Sequence, residues 1–266
     1  MTNGISPSGL PWPFPRILAH RAGGVLAPEN TLEAFRTGLI HGYRGVETDA
    51  MLTRDGVPVL MHDEKFGRTI RDDSRSVPEL TADELRKLDA GGWHSPFWYG
   101  VHPPLLSDAL EWCRRNGMWL NLEIKPAKGH EFETGLTVAT AVAEAYSDVI
   151  SPNGDQQANV SKAAPLLSSY SREALSAARE AAPYLPRALL VDDVPADWRR
   201  ACETLGCVSL NADWRFLTPD LCRQIKEAGL WLFAYTPNDR DTILKLFRMG
   251  VDSVCTDRLD RVPPVL

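Results

Sequence analysis

From Leu106 to the C-terminus the chain alternates between two hydrophobic rhythms, and this alternation leaves few folds open to it. Amphipathic stretches predict helices near 106–116, 130–147, 171–182, 195–205, 218–228 and 238–248. Between them, short apolar runs predict strands near 118–124, 165–169, 187–191, 207–211, 230–235 and 251–255. Two more strands come earlier, at Arg16–His20 and Gly45–Leu52. Strands joined through helices return parallel, so the pattern implies an α/β fold whose parallel sheet is covered by helices. Eight such strands favour a closed (β/α)8 TIM barrel over an open doubly wound sheet. The absence of Gly-x-Gly-x-x-Gly after the first strand points the same way.

The first hundred residues carry two departures from that rhythm. Asn30-Thr31-Leu32-Glu33 reads as an N-cap with a glutamate at N3, opening a helix to about His41 that Gly42 stops. The tight turn Arg54-Asp55-Gly56 makes Val57–Met61 an antiparallel arm outside the barrel count, and predicts that His62 returns near Glu47. Residues 64–105 read as a small insertion over the C-terminal rim, with a short helix near Thr81–Leu88 and the aromatic residues Trp93, Phe97, Trp98 and Tyr99. The stretch 148–162 has no periodicity and reads as a mobile loop, and residues 1–266 as one domain.

Composition excludes several classes of function. A net charge of −6 argues against a nucleic-acid partner. No run approaches the ~18 apolar residues of a membrane span, so no stable membrane insertion is expected. Met1–Pro15 lacks an apolar stretch behind a basic start, so no signal peptide is expected. Cys113, Cys202, Cys207, Cys222 and Cys255 show no Cys-x-x-Cys spacing and read as buried, reduced thiols of a cytoplasmic enzyme. Oligomeric state has no signature here.

A barrel gathers its chemistry at the C-terminal ends of its strands, where His20, Glu47, Asp49, Glu123, Lys125, Ser168, Ser169 and Tyr235 are placed. Glu47 and Asp49 share one face because strand side chains repeat every two residues. With Glu123 they offer three carboxylates, suited to one hard divalent cation, Mg²⁺ or Ca²⁺, with Mn²⁺ also compatible. His20 and His62 both end apolar strands beside those carboxylates and suit general acid–base work. His41, His94, His102 and His130 read as packing or surface residues. Arg21 and Lys125 suit the non-bridging oxygens of a phosphate, while Lys125 is alternatively a structural partner of Glu47 or Glu123. Together these groups point to metal-assisted cleavage of a phosphodiester.

Nine blocks in order resemble the glycerophosphodiester phosphodiesterase family across nearly the whole chain. They are His20-Arg21, Pro28–Thr31, Glu47-Thr48-Asp49, Asp55-Gly56, His62-Asp63, Glu123-Ile124-Lys125, Leu167–Tyr170, Tyr235–Asn238 and Gly250–Asp257. The opening Pro13–His20 is most like the family's cytoplasmic bacterial members associated with glycerol-phosphate uptake. The resemblance implies metal-dependent hydrolysis of a small glycerophosphodiester to sn-glycerol 3-phosphate and an alcohol such as choline or ethanolamine. It places metal ligands on Glu47, Asp49 and Glu123, catalytic histidines on His20 and His62, and phosphate contacts on Arg21 and Lys125. It also places an aromatic contact to glycerol on Tyr235. Ala22 stands where the family commonly has glycine, a mild change if the backbone there has negative φ. A phospholipase D-like enzyme acting on lysophospholipids is the alternative on the same barrel. It would use Trp93, Phe97, Trp98 and Tyr99 as an apolar surface, whereas the plainer reading makes them the insertion's own core.

Overall fold

A computed structural model describes residues 12–71, 73–153, 156, 159 and 164–266. Its strands are β1 (Ile17–Ala19), β2 (Gly45–Leu52), β3 (Pro58–Leu60), β4 (Trp119–Ile124), β5 (Leu166–Ser169), β6 (Arg187–Val191), β7 (Ser209–Asp213), β8 (Trp231–Tyr235) and β9 (Ser253–Thr256). All but β3 pair in parallel, and β1 pairs with both β2 and β9, so eight strands close into a barrel. Strand β3 pairs antiparallel with the upper part of β2, Ala50 opposite Leu60. The expected (β/α)8 barrel and its antiparallel arm are therefore both present.

Among the described residues the helices are α1 (Leu32–Ile40), α2 (Ala82–Leu85), α3 (Leu106–Asn116), α4 (Glu131–Ala145), α5 (Arg172–Ala181), α6 (Trp198–Leu205), α7 (Pro219–Glu227) and α8 (Arg240–Arg248). Apart from α2, which lies in the insertion, they follow the barrel strands and bury apolar faces against them: Ala34 and Phe35, Leu106 and Leu110, Val138 and Val142, Ile243 and Leu246 all join one core. Helices α4 and α5 approach closely because Gly135 has no side chain; a Cβ there would lie 2.1 Å from the Ala174 carbonyl oxygen. No helix among the described residues is long and apolar enough to cross a membrane.

The lower end of the barrel is plugged by aromatic side chains. Phe14 stacks on Trp119 at 4.0 Å, and Trp12 meets Trp119 and Trp231 edge-on at 5.6 and 5.3 Å. The insertion has its own cluster, but of a different composition from the one expected. Ile70, Val77, Leu80 and Leu85 pack on Met51 and Val59, while Phe97 and Tyr99 stand 82% and 78% exposed and Trp98 packs against the main core. Strand β7 starts and ends two residues later than the hydrophobic pattern predicts. Within the expected loop at 148–162, residues 154, 155, 157, 158 and 160–162 fall outside the described set. Gln156 and Asn159 are helical, and the buried Asn159 amide donates to the Ser151 and Tyr184 carbonyls.

Candidate active site

Strand β1 ends at Ala19, opposite Val46, so β2 is the taller neighbour and Glu47 reaches the rim from mid-strand rather than from a strand end. Beyond β1 the chain turns sharply through Arg21 and Ala22, whose φ values are 48° and 70°. The condition under which alanine would be a mild change there, a negative φ, is not met. Left-handed backbone costs a non-glycine residue roughly 1–2 kcal/mol. The turn is held by Ala22 N–H donating to the Glu47 carbonyl at 3.0 Å and by Arg21 N–H donating to Glu47 Oε2 at 3.2 Å. It places His20 and Arg21 on the rim and clamps Glu47 with backbone. Helix α1 fits beneath because residue 38 is glycine; a Cβ there would lie 2.5 Å from the Ala22 oxygen.

The cap of α1 is Thr31, whose hydroxyl accepts from Ala34 N–H at 3.2 Å, and not Asn30. Asn30 has φ 57° and turns its amide to Asp49, donating to Oδ2 at 2.8 Å and accepting the Asp49 N–H at 3.2 Å. A tertiary partner has taken the residue that local propensity assigns to a cap. His62 returns beside β2 within one residue of Glu47, in the same cleft. The register Ala50–Leu60 and the Met61 N–H bond to the Asp49 carbonyl put Met61 opposite Asp49 and His62 opposite Thr48, and the charge of Asp49 acts on the His62 ring. It is His20 that faces Glu47, Nε2 to Oε2 at 3.7 Å.

Both histidines are backed by an aspartate. His20 Nδ1 lies 2.5 Å from Asp257 Oδ1, and His62 Nδ1 lies 2.6 Å from Asp63 Oδ1. In each pair the ionised carboxylate favours the tautomer in which Nδ1–H donates to it, which leaves Nε2 as the other ring nitrogen for the cleft. Asn238 fixes Asp257, donating to Oδ2 at 3.0 Å and accepting its N–H at 2.8 Å. Arg68 fixes Asp63 at 2.6 Å and also forks onto Glu29 at 2.6 and 2.7 Å, while Glu29 accepts from Arg21 Nη1 at 2.9 Å. Burial pulls the His20 pKa down, but the Asp257 hydrogen bond and the charges of Glu47 and Asp257 outweigh it, so the net shift is upward. For His62, burial together with Arg21 and Lys125 outweighs Asp49 and Asp63, and its pKa falls.

Glu47, Asp49 and Glu123 are buried and each offers an oxygen within 4.8 Å of the others. Asp49 lies opposite Glu123 in the sheet register. Burial and the charge of Asp49 push Glu47 up to about 7 and Glu123 up to about 8. Asp49 is held low against burial by His62, Lys125, Arg21 and the Asn30 amide. Two glutamates protonated near neutral pH mark a trio short of positive charge, and an all-oxygen donor set fits a hard divalent cation. Lys125 Nζ lies 3.1 Å from Glu123 and 3.8 Å from Asp49, so the structural pairing is present.

Ser169 is buried with its hydroxyl donating to the Ile124 carbonyl, whereas the candidates His20, Arg21, Glu47, Asp49, His62, Glu123, Lys125 and Tyr235 line, with Ser168, one open cleft of about 590 Å³. Tyr235 is half-buried on its far wall, its hydroxyl 2.5 Å from that of Tyr170 and 2.9 Å from Asp192. His41, His94, His102 and His130 lie outside the cleft, and the five cysteines are buried free thiols. Sequence reading assigned no role to Asp257, Asn238, Glu29, Asp63 or Arg68. The acidic neighbour of His62 and the aspartate just past β9 are local signals for two of them; Arg68 has none.

The model of the Glycerophosphoryl diester phosphodiesterase family matches residues 20–261. The chain is similar to a glycerophosphodiester phosphodiesterase of Caldanaerobacter subterraneus subsp. tengcongensis, 27% identical over 242 residues covering 91% of this chain and 93% of that one. Another of that name from Bacillus subtilis is 26% identical, with 91% and 83% covered. Among solved structures, an Oleispira antarctica phosphodiesterase in complex with the product sn-glycerol-3-phosphate superposes with a TM-score of 0.81. It is 33% identical, with 94% of each chain covered.

Proposed function

We infer that this chain, which belongs to the glycerophosphoryl diester phosphodiesterase family and is a glycerophosphodiester phosphodiesterase, cleaves small glycerophosphodiesters with one divalent cation and two histidines. Substrates such as glycerophosphocholine or glycerophosphoethanolamine would give sn-glycerol 3-phosphate and the free alcohol. The observation that carries this reading is the meeting, in one cleft, of three buried carboxylates with two aspartate-backed histidines.

Glu47, Asp49 and Glu123 would hold the cation, Mg²⁺, Ca²⁺ or Mn²⁺, which when bound polarises a phosphoryl oxygen and offsets charge developing on phosphorus. Arg21 and Lys125 stand beside that cluster and steady the other phosphate oxygens. One histidine takes a proton through Nε2 from the nucleophile, which is either water or the glycerol 2-hydroxyl, whose attack gives a cyclic phosphate that water then opens to glycerol 3-phosphate. The other gives a proton to the departing alcohol oxygen as the P–O bond breaks. Asp257 and Asp63 keep the imidazoles aimed. Tyr235 packs on the glycerol carbons from the far wall. Five free buried thiols suit a reducing, cytoplasmic setting, and residues 1–266 serve as one catalytic domain. The exposed Phe97 and Tyr99 favour a second reading, attack on lysophospholipids.

The test is release of glycerol 3-phosphate from glycerophosphocholine and glycerophosphoethanolamine, first in EDTA and then with each cation restored. Release should stop with chelator and return with metal, and His20→Ala or His62→Ala should lower it by roughly 10²–10⁴-fold. Full activity of the EDTA-treated protein, or of His62→Ala on an alkyl diester, would contradict the mechanism.

A further inference from the structure

We propose that Cys202 and Cys207 form a redox-modification site, at which hydrogen peroxide joins the two sulfurs in a disulfide across the turn that ends α6. The helix stops in a closed turn in which Gly206 is left-handed at φ 63°. Gly206 N–H donates to the Glu203 carbonyl at 3.2 Å, and Cys207 N–H donates to the Cys202 carbonyl at 2.8 Å. Side chains at the two ends of such a turn, here 202 and 207, commonly meet. Both cysteines belong to one buried core, 2% and 8% exposed, and their thiols share a hydrogen bond. A path from one α-carbon to the other through the carbonyl and the 2.8 Å bond spans at most about 6.7 Å. That lies inside the ~7 Å beyond which a disulfide cannot close without backbone movement.

The turn is also held from outside, so the bridge closes on a backbone already in place. Arg179 Nη1 donates to the Thr204 carbonyl, Arg187 Nε and Nη2 to those of Leu205 and Gly206 at 3.2 and 3.3 Å, and Gln156 Nε2 to Gly206 at 2.9 Å. Oxidation starts at Cys207, the more exposed thiol, where the Arg187 and Arg179 charges favour the thiolate. Its sulfur takes one peroxide oxygen as a sulfenic acid, and the first water leaves. The Cys202 sulfur then attacks that sulfur, the S–O bond breaks, and the oxygen departs with the Cys202 proton as a second water. Two thiols have lost two hydrogens, and one peroxide has become two waters. The bond to Cys202 and burial keep Cys207 protonated at rest, so the first step is slow. The adjacent thiol then halts oxidation at a stage that reductant reverses, before sulfinic acid forms. Cys113 in α3, Cys222 in α7 and Cys255 in β9 each stand alone on a separate element.

The experiment holds the folded full-length protein in millimolar hydrogen peroxide, alkylates it in denaturant and reads tryptic masses. The peptide 201–215 carries both cysteines between Arg200 and Arg215. It should come out unalkylated and two hydrogens lighter, while Cys113, Cys222 and Cys255 take the alkyl group. Dithiothreitol should restore alkylation at both positions. Cys202→Ala should stop one step earlier, with a single added oxygen on Cys207 that dimedone traps. Oxidised wild type should melt roughly 3–8 °C above the reduced protein, because the bridge constrains the unfolded chain. A peptide 201–215 still fully alkylated after peroxide, a bridge to any other cysteine, sulfinic acid on Cys207 of the wild type, or a lower melting temperature would each overturn the assignment. If Cys202→Ala does not fold, the wild-type peptide masses and melts decide.

Discussion

Arg68 is the residue whose loss separates positioning from chemistry, because it touches no proposed reacting group yet braces two of them. Its guanidinium donates Nε to Asp63 at 2.6 Å and forks onto Glu29 at 2.6 and 2.7 Å. Asp63 in turn aims His62, and Glu29 shares its Oε1 with Arg21. Replacing Arg68 with Met removes all three bonds and frees both carboxylates to rotate. The side chain is 43% exposed, so its ion pairs contribute only ~0–1 kcal/mol to stability and the melting temperature should move little. The catalytic cost should be larger: a displacement of about 1 Å at a catalytic group costs on the order of 10²-fold. That corresponds to about 2.7 kcal/mol of barrier. The assay is kcat and KM for glycerophosphocholine beside a thermal melt. A fall in kcat with a rise in KM is expected if, as proposed, His62 serves the chemical step and Arg21 serves binding. Lys at this position keeps the charge without the fork and should recover less than about tenfold. Arg68→Met within threefold of the wild type, or a loss matched by a large drop in melting temperature, would refute the argument.

Two other expectations follow from burial. Glu47 and Glu123 have folded pKa values raised to about 7 and about 8 in the metal-free protein, so the native state holds more protons than the unfolded one. The stability this confers is complete below the unfolded carboxylate range and is lost as pH rises through about 7 to 8. Calorimetry in EDTA should therefore show a falling melting temperature across that window, with a shallower slope in Glu123→Gln, and added Mg²⁺ should raise it; a flat profile in EDTA would count against the charge-starved trio. Arg187 is fully buried at the foot of β6 and donates to the carbonyls of Ala182, Pro183, Leu185, Leu205 and Gly206, at or just beyond the ends of α5 and α6. Arg187→Leu should cost at least ~3 kcal/mol in urea unfolding, because several carbonyls lose a charged donor together, and a cost below about 1 kcal/mol would show that they find other partners.

How far the sequence could be read depended on whether a residue's role was local. The bounds of β2 were legible from its apolar run, and its period-two spacing placed Glu47 and Asp49 on one face. Strand β7 was displaced by two residues because its inward positions, Asn211 and Asp213, are polar, and a polar residue inside a barrel looks like the start of a loop. The same substitution of site chemistry for core chemistry hid Asn30, the stronger local candidate for a cap, which is bonded instead to a carboxylate nineteen residues away. Ala22 could not be read either, since a left-handed alanine is disfavoured on its own and persists through its bond to Glu47. The aromatic run from Trp93 to Tyr99 looked like a core, but Ile70, Val77, Leu80 and Leu85 already cover the apolar side of the β2–β3 hairpin. In each case the mistaken inference follows local propensity and the structure follows a partner brought near by the barrel. The residues that depart from local rules here, Ala22, Asn30 and Asn211, all stand in or directly behind the cleft. Departures of that kind are expected where function competes with foldability, and they point to the same rim independently of the histidines and carboxylates.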